Sequence, residues 1–333
     1  MKVLVTGATG FIGANLVRRL VERGDEVTCL IRKPNLCLEG LDVRLLTAPL
    51  GDRPEEIAAL RLAIRGCEGL YHVAGLFDSS PGGLARMRQV HIYGTRGLLR
   101  AAEREGVRRA VICSSSVTVG IGTRAAPGDE ETLLNPDVIY GRSGGLRDYY
   151  NTKIQEEELA LGWSDLEVVV VNPDYIIGPW DVKPTSGQMI LTMAKHWVPL
   201  YPRGGKCFQH VRDCVDGHIL AMDRGTPGRR YLLGNENLSY QEFMGLVASV
   251  VGQRPPVLPM SRSVIQLAGV AGRVGRNINP HRFVGLDTQV LQSMQQERYR
   301  SGLRAREELG VPATPVRTAI EEAYTWFREH GYC

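Results

Sequence analysis

No apolar run in this chain approaches the roughly 20 residues needed to cross a bilayer, so no membrane span is expected. There is no Cys-x-x-Cys pair. The seven cysteines, at 29, 37, 67, 113, 207, 214 and 333, are an odd number at scattered spacing. That pattern argues against a disulfide framework and a zinc site, and fits reduced thiols in a cytoplasmic protein. Charge of one sign is scarce as well: the net charge is only +4 and the arginines are dispersed, so nothing points to nucleic acid. A mildly basic stretch from Arg298 to Arg306 reads as a solvated helix face. Internal repeats, low-complexity tracts and composition-based linkers are absent. Met1 leads straight into an apolar strand, leaving no room for a signal peptide.

What is present is an alternation of strand-like and helix-like segments within 333 residues, enough for one large domain or two modest ones. Strands are expected at Met1 to Val5, Glu26 to Ile31, Val43 to Leu46, Gly69 to Val73 and Arg109 to Cys113. Helices are expected at Ala14 to Arg23, Glu55 to Ile64, Leu84 to Glu105 and Tyr149 to Leu161. Leu166 to Val171 is so continuously apolar that it reads as an interior parallel strand, buried on both faces. This alternation specifies an α/β, Rossmann-type doubly wound parallel sheet over residues 1–173. After Pro173 prolines and glycines break the pattern, although Arg230 to Leu233 reads as a strand returning to the sheet. Residues 174–229 and 235–333 then form a smaller, irregular, mostly α substrate lobe.

Three stretches carry chemistry. The first is Thr6-Gly7-Ala8-Thr9-Gly10-Phe11-Ile12-Gly13, between an apolar strand and an amphipathic helix. Gly7 permits a backbone conformation closed to other residues, Gly10 lets a pyrophosphate reach the main chain, and Gly13 lets the helix pack closely. The helix N-terminus offers free N–H groups to phosphate. Nineteen residues after Gly13 stands Arg32, followed by Lys33, where an NAD-binding fold carries an acidic residue. A guanidinium there can grip a 2′-phosphate, so NADP(H) is the preferred cofactor and NAD(H) the lesser alternative.

The second stretch is Tyr149-Tyr150-Asn151-Thr152-Lys153. Helical spacing puts Tyr149 on the face of Lys153, and Tyr150 close to it. A neighbouring ammonium and a positive nicotinamide ring would lower a phenol pKa that is ordinarily near 10. The third is Cys113-Ser114-Ser115-Ser116 at the carboxyl end of a strand, where a hydroxyl faces the ligand crevice.

In this order and spacing the three stretches resemble the extended short-chain dehydrogenase/reductase family. Tyr71-His72-Val73-Ala74-Gly75, Gly94-Thr95, Asn172-Pro173, Ile177-Gly178-Pro179, His210-Val211-Arg212-Asp213 and Ala305 to Gly310 are similar too. The flavour is that of the dihydroflavonol-reductase-like branch, near hydroxysteroid dehydrogenases and epimerase-like proteins. The resemblance implies Ser116, Tyr149 and Lys153 as catalytic residues, with Tyr149 chosen over Tyr150 by the family pattern. It implies cofactor contacts from Gly7, Thr9, Gly10, Phe11, Ile12, Gly13, Arg32, Lys33, Leu50, Ala74, Tyr149, Lys153, Pro173 and Ile176, and no metal. Two positions depart from the pattern. Ala48-Pro49-Leu50 replaces the family's Gly-Asp-Leu, and His91 replaces an asparagine.

The expected activity is NADPH-dependent reduction of a small-to-medium, largely apolar aldehyde or ketone, or the reverse oxidation of an alcohol. Asp181 to Phe208 and the helix near Val264 to Val274 would supply the substrate side, Ile265, Leu267, Ala268, Val270 and Ala271 serving as pocket or core. The competing readings are a nucleotide-sugar epimerase or dehydratase retaining NAD, with Lys206 as a diphosphate cation, and a non-catalytic dinucleotide sensor. The sequence itself does not fix the oligomeric state; the resemblance implies a homodimer through the two long helices, Leu84 to Glu105 and Tyr149 to Leu161.

Overall fold

A computed structural model describes residues 1–33, 36–261, 263–267, 270 and 288–333. Seven strands form one wholly parallel sheet: β1 Lys2–Thr6, β2 Glu26–Leu30, β3 Arg44–Leu46, β4 Gly69–His72, β5 Arg109–Cys113, β6 Glu167–Pro173 and, later in the chain, β10 Arg230–Leu233. Their spatial order is β10-β6-β5-β4-β1-β2-β3. The order reverses between β1 and β4, which makes the crevice at their carboxyl ends the switch point where such sheets bind ligands.

Side chains alternate between the faces of the sheet, and both faces are covered. Val3, Val5, Val111, Val169 and Val171 enter one core, with α1 (Phe11–Glu22) and a later helix, Val211–Arg224. Leu4, Ala110, Ile112, Val168 and Val170 enter the other, packed against α2 (Pro54–Ile64) and the helices that follow β4 and precede β6. This two-sided burial is why the strands read as unbroken apolar runs. Val211–Arg224, assigned on sequence to the substrate lobe, instead belongs to the sheet layer, because Cys214, Val215, Ile219 and Met222 complete the first core.

The stretch from Leu84 to Glu105 is not one uniform helix. It consists of α3 (Gly83–Arg88), a π-helical segment at Gln89–Gly94, and α4 (Thr95–Arg104). Such widened turns tend to sit at functional sites. A short α5 (Pro136–Tyr140), capped by the Asn135 side chain, precedes α6 (Gly145–Leu161).

The second lobe is mostly helical, and it also holds a small sheet. In it β9 (Gly205–His210) pairs with β7 (Tyr175–Ile177), β11 (Glu236–Ser239) and β13 (Glu297–Arg298). A two-residue pairing joins β8 (Leu200–Tyr201) and β12 (Leu258–Pro259). Its core gathers Ile177, Phe208, Phe243, Val316, Ile320 and Phe327, with Phe208 and Phe243 stacked at 4.2 Å. Ile265 is buried, whereas Leu267 and Val270 are exposed and line no core; Ala268 and Ala271 lie outside the described residues.

Candidate active site

The glycine turn is built as its sequence demands. Gly7 has φ of +70°, and a Cβ there would lie 2.5 Å from the Ala74 backbone nitrogen. The turn and the segment after β4 therefore touch main chain to main chain. A Cβ on Gly13 would come within 2.1 Å of the Gly7 carbonyl oxygen, so helix and turn interlock only with glycine. Gly10 differs. A Cβ there would meet nothing nearer than the Gly7 oxygen at 3.2 Å, and the residue is exposed at the N-cap of α1. The open face of Gly10 and the N-terminus of α1 fit a dinucleotide's pyrophosphate. Arg32 and Lys33 are exposed just beyond β2. Leu50 is half-buried beside Gly94, and its carbonyl accepts a hydrogen bond from Gln89 at 2.7 Å. Pro173 and Ile176 are buried at the carboxyl end of β6 and in β7.

Tyr149 and Lys153 rise on α6 to the same edge. The Ser115 side chain lies beside the Tyr149 phenol and favours its ionised form. The turn after β5 leaves Ser115 extended at φ −158°, while Ser116 enters a single 3-10 turn and is buried. Burial pushes the Tyr149 phenol above its ordinary pKa, and Lys153 and Ser115 pull it back only in part. Lys153 thus acts in the expected direction but does not win. The ring is fixed edge-on by Phe77 at 5.6 Å and His91 at 5.7 Å. Tyr150 turns away and stacks on Tyr140 at 5.5 Å.

His91, carried by the π segment, has a definite role here. Its Nε2 accepts from the Leu76 amide at 3.0 Å, so its proton sits on Nδ1 and is donated to Thr152 Oγ1 at 2.9 Å. Burial, with Lys153 and His72 nearby, pushes it down to about 2, and it stays neutral. It is the strut between the segment after β4 and the catalytic helix.

Lys153 Nζ donates to the Cys113 carbonyl at 3.1 Å and to Glu156 Oε2 at 2.6 Å, fully buried. Burial opposes its charge, yet Glu156 and Tyr149 outweigh burial and hold it above its ordinary range. Glu156 Oε1 accepts from Thr95 Oγ1 at 3.1 Å. Thr95 then accepts from His72 Nε2 at 3.0 Å, and His72 Nδ1 accepts from Thr6 Oγ1 at 2.6 Å. Thr6 in turn receives the Ala74 amide at 3.3 Å. Every donor runs toward Glu156, so one directed polar chain joins the glycine turn to Lys153. Neighbouring Glu157 ties α6 to Thr118, Asn172 and Arg230.

Sequence reasoning missed Glu156, His72 and Thr95 in these roles. The only signal for Glu156 was its position three residues after Lys153 on a helix. The Arg298 to Arg306 stretch needs a correction too: Arg298 and Arg300 are 8% and 1% exposed and are not a solvated face. Their guanidinium groups find Tyr140 and Asp174 inside the lobe.

A dinucleotide turn at the switch point and a Tyr/Lys pair at the same crevice define an NAD(P)-dependent oxidoreductase. The described residues contain no helix long and apolar enough to cross a membrane. Residues 3–234 match the model of the NAD dependent epimerase/dehydratase family. The chain belongs to that family, the extended short-chain dehydrogenases/reductases. It is 32% identical to a putative dihydroflavonol 4-reductase of Synechocystis sp., over 98% of this chain and 95% of that one. It is 34% identical to sterol demethylase protein B of Methylococcus capsulatus, over 99% of each. Among solved structures, gox2253 superposes with a TM-score of 0.82 at 30% identity, covering 99% of this chain and 98% of that one. A nucleoside-diphosphate-sugar epimerase from Pseudomonas aeruginosa superposes with a TM-score of 0.77 at 25% identity, covering 100% and 99%.

Proposed function

We propose that the protein is an NADPH-dependent carbonyl reductase acting on an aldehyde or ketone of largely apolar body. The observation that carries this reading is the half-buried Tyr149 phenol, with Ser115 beside it and the charged Lys153 one helical turn on. A phenol held above its ordinary pKa is protonated at neutral pH, and the protonated form is what carbonyl reduction requires. When bound, the nicotinamide supplies the two electrons and the hydrogen that reduce the carbonyl carbon. Ser115 donates a hydrogen bond to the carbonyl oxygen as charge develops on it, and Tyr149 delivers the proton that completes the alcohol. An ammonium has three donors, of which two are used by Cys113 and Glu156; the third is left for the cofactor ribose. Gly10 and the N-terminus of α1 receive the pyrophosphate, and Arg32 with Lys33 the 2′-phosphate that favours NADPH. The reductases and dehydrogenases among the relatives support this chemistry; they include a 3 beta-hydroxysteroid dehydrogenase of Mycobacterium tuberculosis, 28% identical over 98% of this chain and 90% of that one. The test is steady-state oxidation of NADPH by a panel of aldehydes and ketones. Turnover that is faster with NADPH than with NADH supports the reading, and no turnover of any carbonyl compound contradicts it.

A further inference from the structure

The ammonium that faces Tyr149 is already paired. Lys153 and Glu156, three residues apart on α6, are both fully buried. Lys153 Nζ lies 2.6 Å from Glu156 Oε2, and the Cys113 carbonyl takes a second of its protons at 3.1 Å. Thr95 on α4 fixes the carboxylate from its other side, donating to Oε1 at 3.1 Å. The pair is thus a fixed ammonium–carboxylate contact with no net charge, one helical turn beyond the phenol.

The other ionisable groups that face the pair do not change that sum. Glu157 has its own partner in Arg230, at 2.7 Å. His72 on β4 lies 3.8 Å from Glu156; burial, with Lys153 nearby, pushes it down to about 3, so it is neutral. His91, on the π segment against the Tyr149 ring, is neutral too. Cys113 on β5 is a thiol that burial pushes up to about 12. Lys153 is then the cation of this cluster, and Glu156 holds it.

Ionising Tyr149 would therefore leave a net negative charge among these groups, and an uncompensated charge away from water is costly. Without the carboxylate, the same ammonium would be the phenolate's partner, and ionisation would build an ion pair instead. Burial pushes Glu156 up to about 7, still below the ordinary phenol value near 10. Glu156 is thus ionised first and opposes Tyr149 over the whole interval between the two values.

We infer that Glu156 is a positioning residue acting through Lys153: by cancelling the ammonium charge it holds Tyr149 in its proton-bearing form, which suits the site to carbonyl reduction and defers alcohol oxidation to alkaline pH. The inference rests on the carbonyl-reductase reading for the reaction, and on the Lys153–Glu156 contact alone for the state of Tyr149. Oxidation of an alcohol runs the proposed step backwards. The carbinol carbon gives its hydride to the oxidised nicotinamide, and the hydroxyl proton passes to the Tyr149 phenolate, which releases it to solvent. Glu156 leaves the equilibrium between alcohol and carbonyl compound untouched; it sets the pH at which the phenolate exists.

The experiment is an NMR pH titration of cofactor-free protein labelled at the tyrosine Cζ, with the Tyr149 resonance assigned by its loss in Tyr149→Phe. In the parent, Tyr149 should still be a phenol at pH about 9.5. In Glu156→Gln its midpoint should fall by at least about one pH unit, the lower end of what a neighbouring charge produces. An unmoved or higher midpoint in the folded variant overturns the inference, as does a parent Tyr149 that is mostly ionised at that pH. If Glu156→Gln does not fold, Lys153→Met combined with Glu156→Gln removes both charges of the pair. The midpoint of that double variant should stay within about one pH unit of the parent's, and a larger rise, the mark of losing an unopposed ammonium, overturns the inference. The alkaline rise of NADP-dependent alcohol oxidation should move down in Glu156→Gln together with the midpoint. The titration involves no substrate, so it decides the role of Glu156 even if no carbonyl compound is turned over. A parent that reduces aldehydes while Glu156→Gln moves neither the midpoint nor the oxidation profile keeps the reductase reading and overturns this one.

Discussion

Gly10 and Gly13, three residues apart in one motif, should fail in opposite ways when a side chain is added. At Gly13 the new Cβ would sit 2.1 Å from the Gly7 oxygen and 2.7 Å from its carbonyl carbon. Both are backbone atoms of a turn already held against Ala74, so neither gives way easily. Overpacking of this kind costs about 1–3 kcal/mol. The gain of roughly 1 kcal/mol from replacing a helical glycine by alanine offsets only part of that. A contact this short with backbone takes the upper end of that cost, so Gly13→Ala should lower unfolding stability by about 2 kcal/mol and displace the turn. At Gly10 the backbone is extended, at φ −87° and ψ 172°, and a Cβ would meet only the Gly7 oxygen, at 3.2 Å, which a shift of about 0.3 Å relieves. Gly10→Val should keep stability within about 1 kcal/mol, since the loss is only that of a favourable N-cap residue. Its methyl groups would stand where the pyrophosphate must approach, and NADPH affinity should fall at least about a hundredfold, or roughly 2.7 kcal/mol. Urea denaturation and fluorescence titration with NADPH measure the two quantities separately. A Gly13→Ala protein as stable as the parent would refute the packing argument. A folded Gly10→Val protein with parental affinity would show that the turn is only structural.

Other changes probe the rest of the site. Arg32→Asp should reverse or erase a several-fold preference for NADPH over NADH, read by the same titration; equal affinities in the unmodified protein would remove the basis for assigning Arg32 to the 2′-phosphate. Glu156→Gln strips the carboxylate partner from buried Lys153 and should destabilise the fold by about 3–5 kcal/mol. Its pH dependence has a definite sign. Burial pushes Glu156 up to about 7 from an unfolded value near 4.3, so between those values the folded state binds the extra proton. That contribution is fully present below the unfolded value and is lost as pH rises through about 7, so the parent's stability carries a falling component there that the glutamine variant lacks. Parallel stability–pH curves from pH about 4 to 8 would refute the assignment.

Much of the sheet was legible because its strands are buried on both faces, which leaves runs such as Val168 to Val171 with no polar interruption. The glycine turn was legible for a related reason: a close backbone approach admits only one residue type. What escaped depends on geometry that composition does not carry. Three consecutive serines present three candidate hydroxyls, and only the turn after β5 buries Ser114 and Ser116 and leaves Ser115 half-buried beside Tyr149. Gln155-Glu156-Glu157 looks like a solvated helix face, yet both glutamates are buried because Lys153, Thr95, Thr118 and Arg230 surround them. Arg298 and Arg300 misled for the same reason, since charge in a sequence says nothing of the partner awaiting it. The break at Gln89–Gly94 was hidden because a π segment keeps the helical pattern on either side.

The measurement that bears most directly on the proposed chemistry compares Tyr149→Phe with Tyr150→Phe in steady-state NADPH-dependent reduction of aldehydes. Tyr149 lies beside Ser115 with its ring held between Phe77 and His91, whereas Tyr150 stacks on Tyr140 beside Arg147. Loss of a general acid costs about a hundred- to ten-thousandfold in rate. Tyr149→Phe should lose turnover on that scale with NADPH affinity nearly unchanged, and Tyr150→Phe should stay within about tenfold of the parent. A Tyr149→Phe enzyme that turns over at near the parent rate would contradict the assignment of Tyr149 as proton donor.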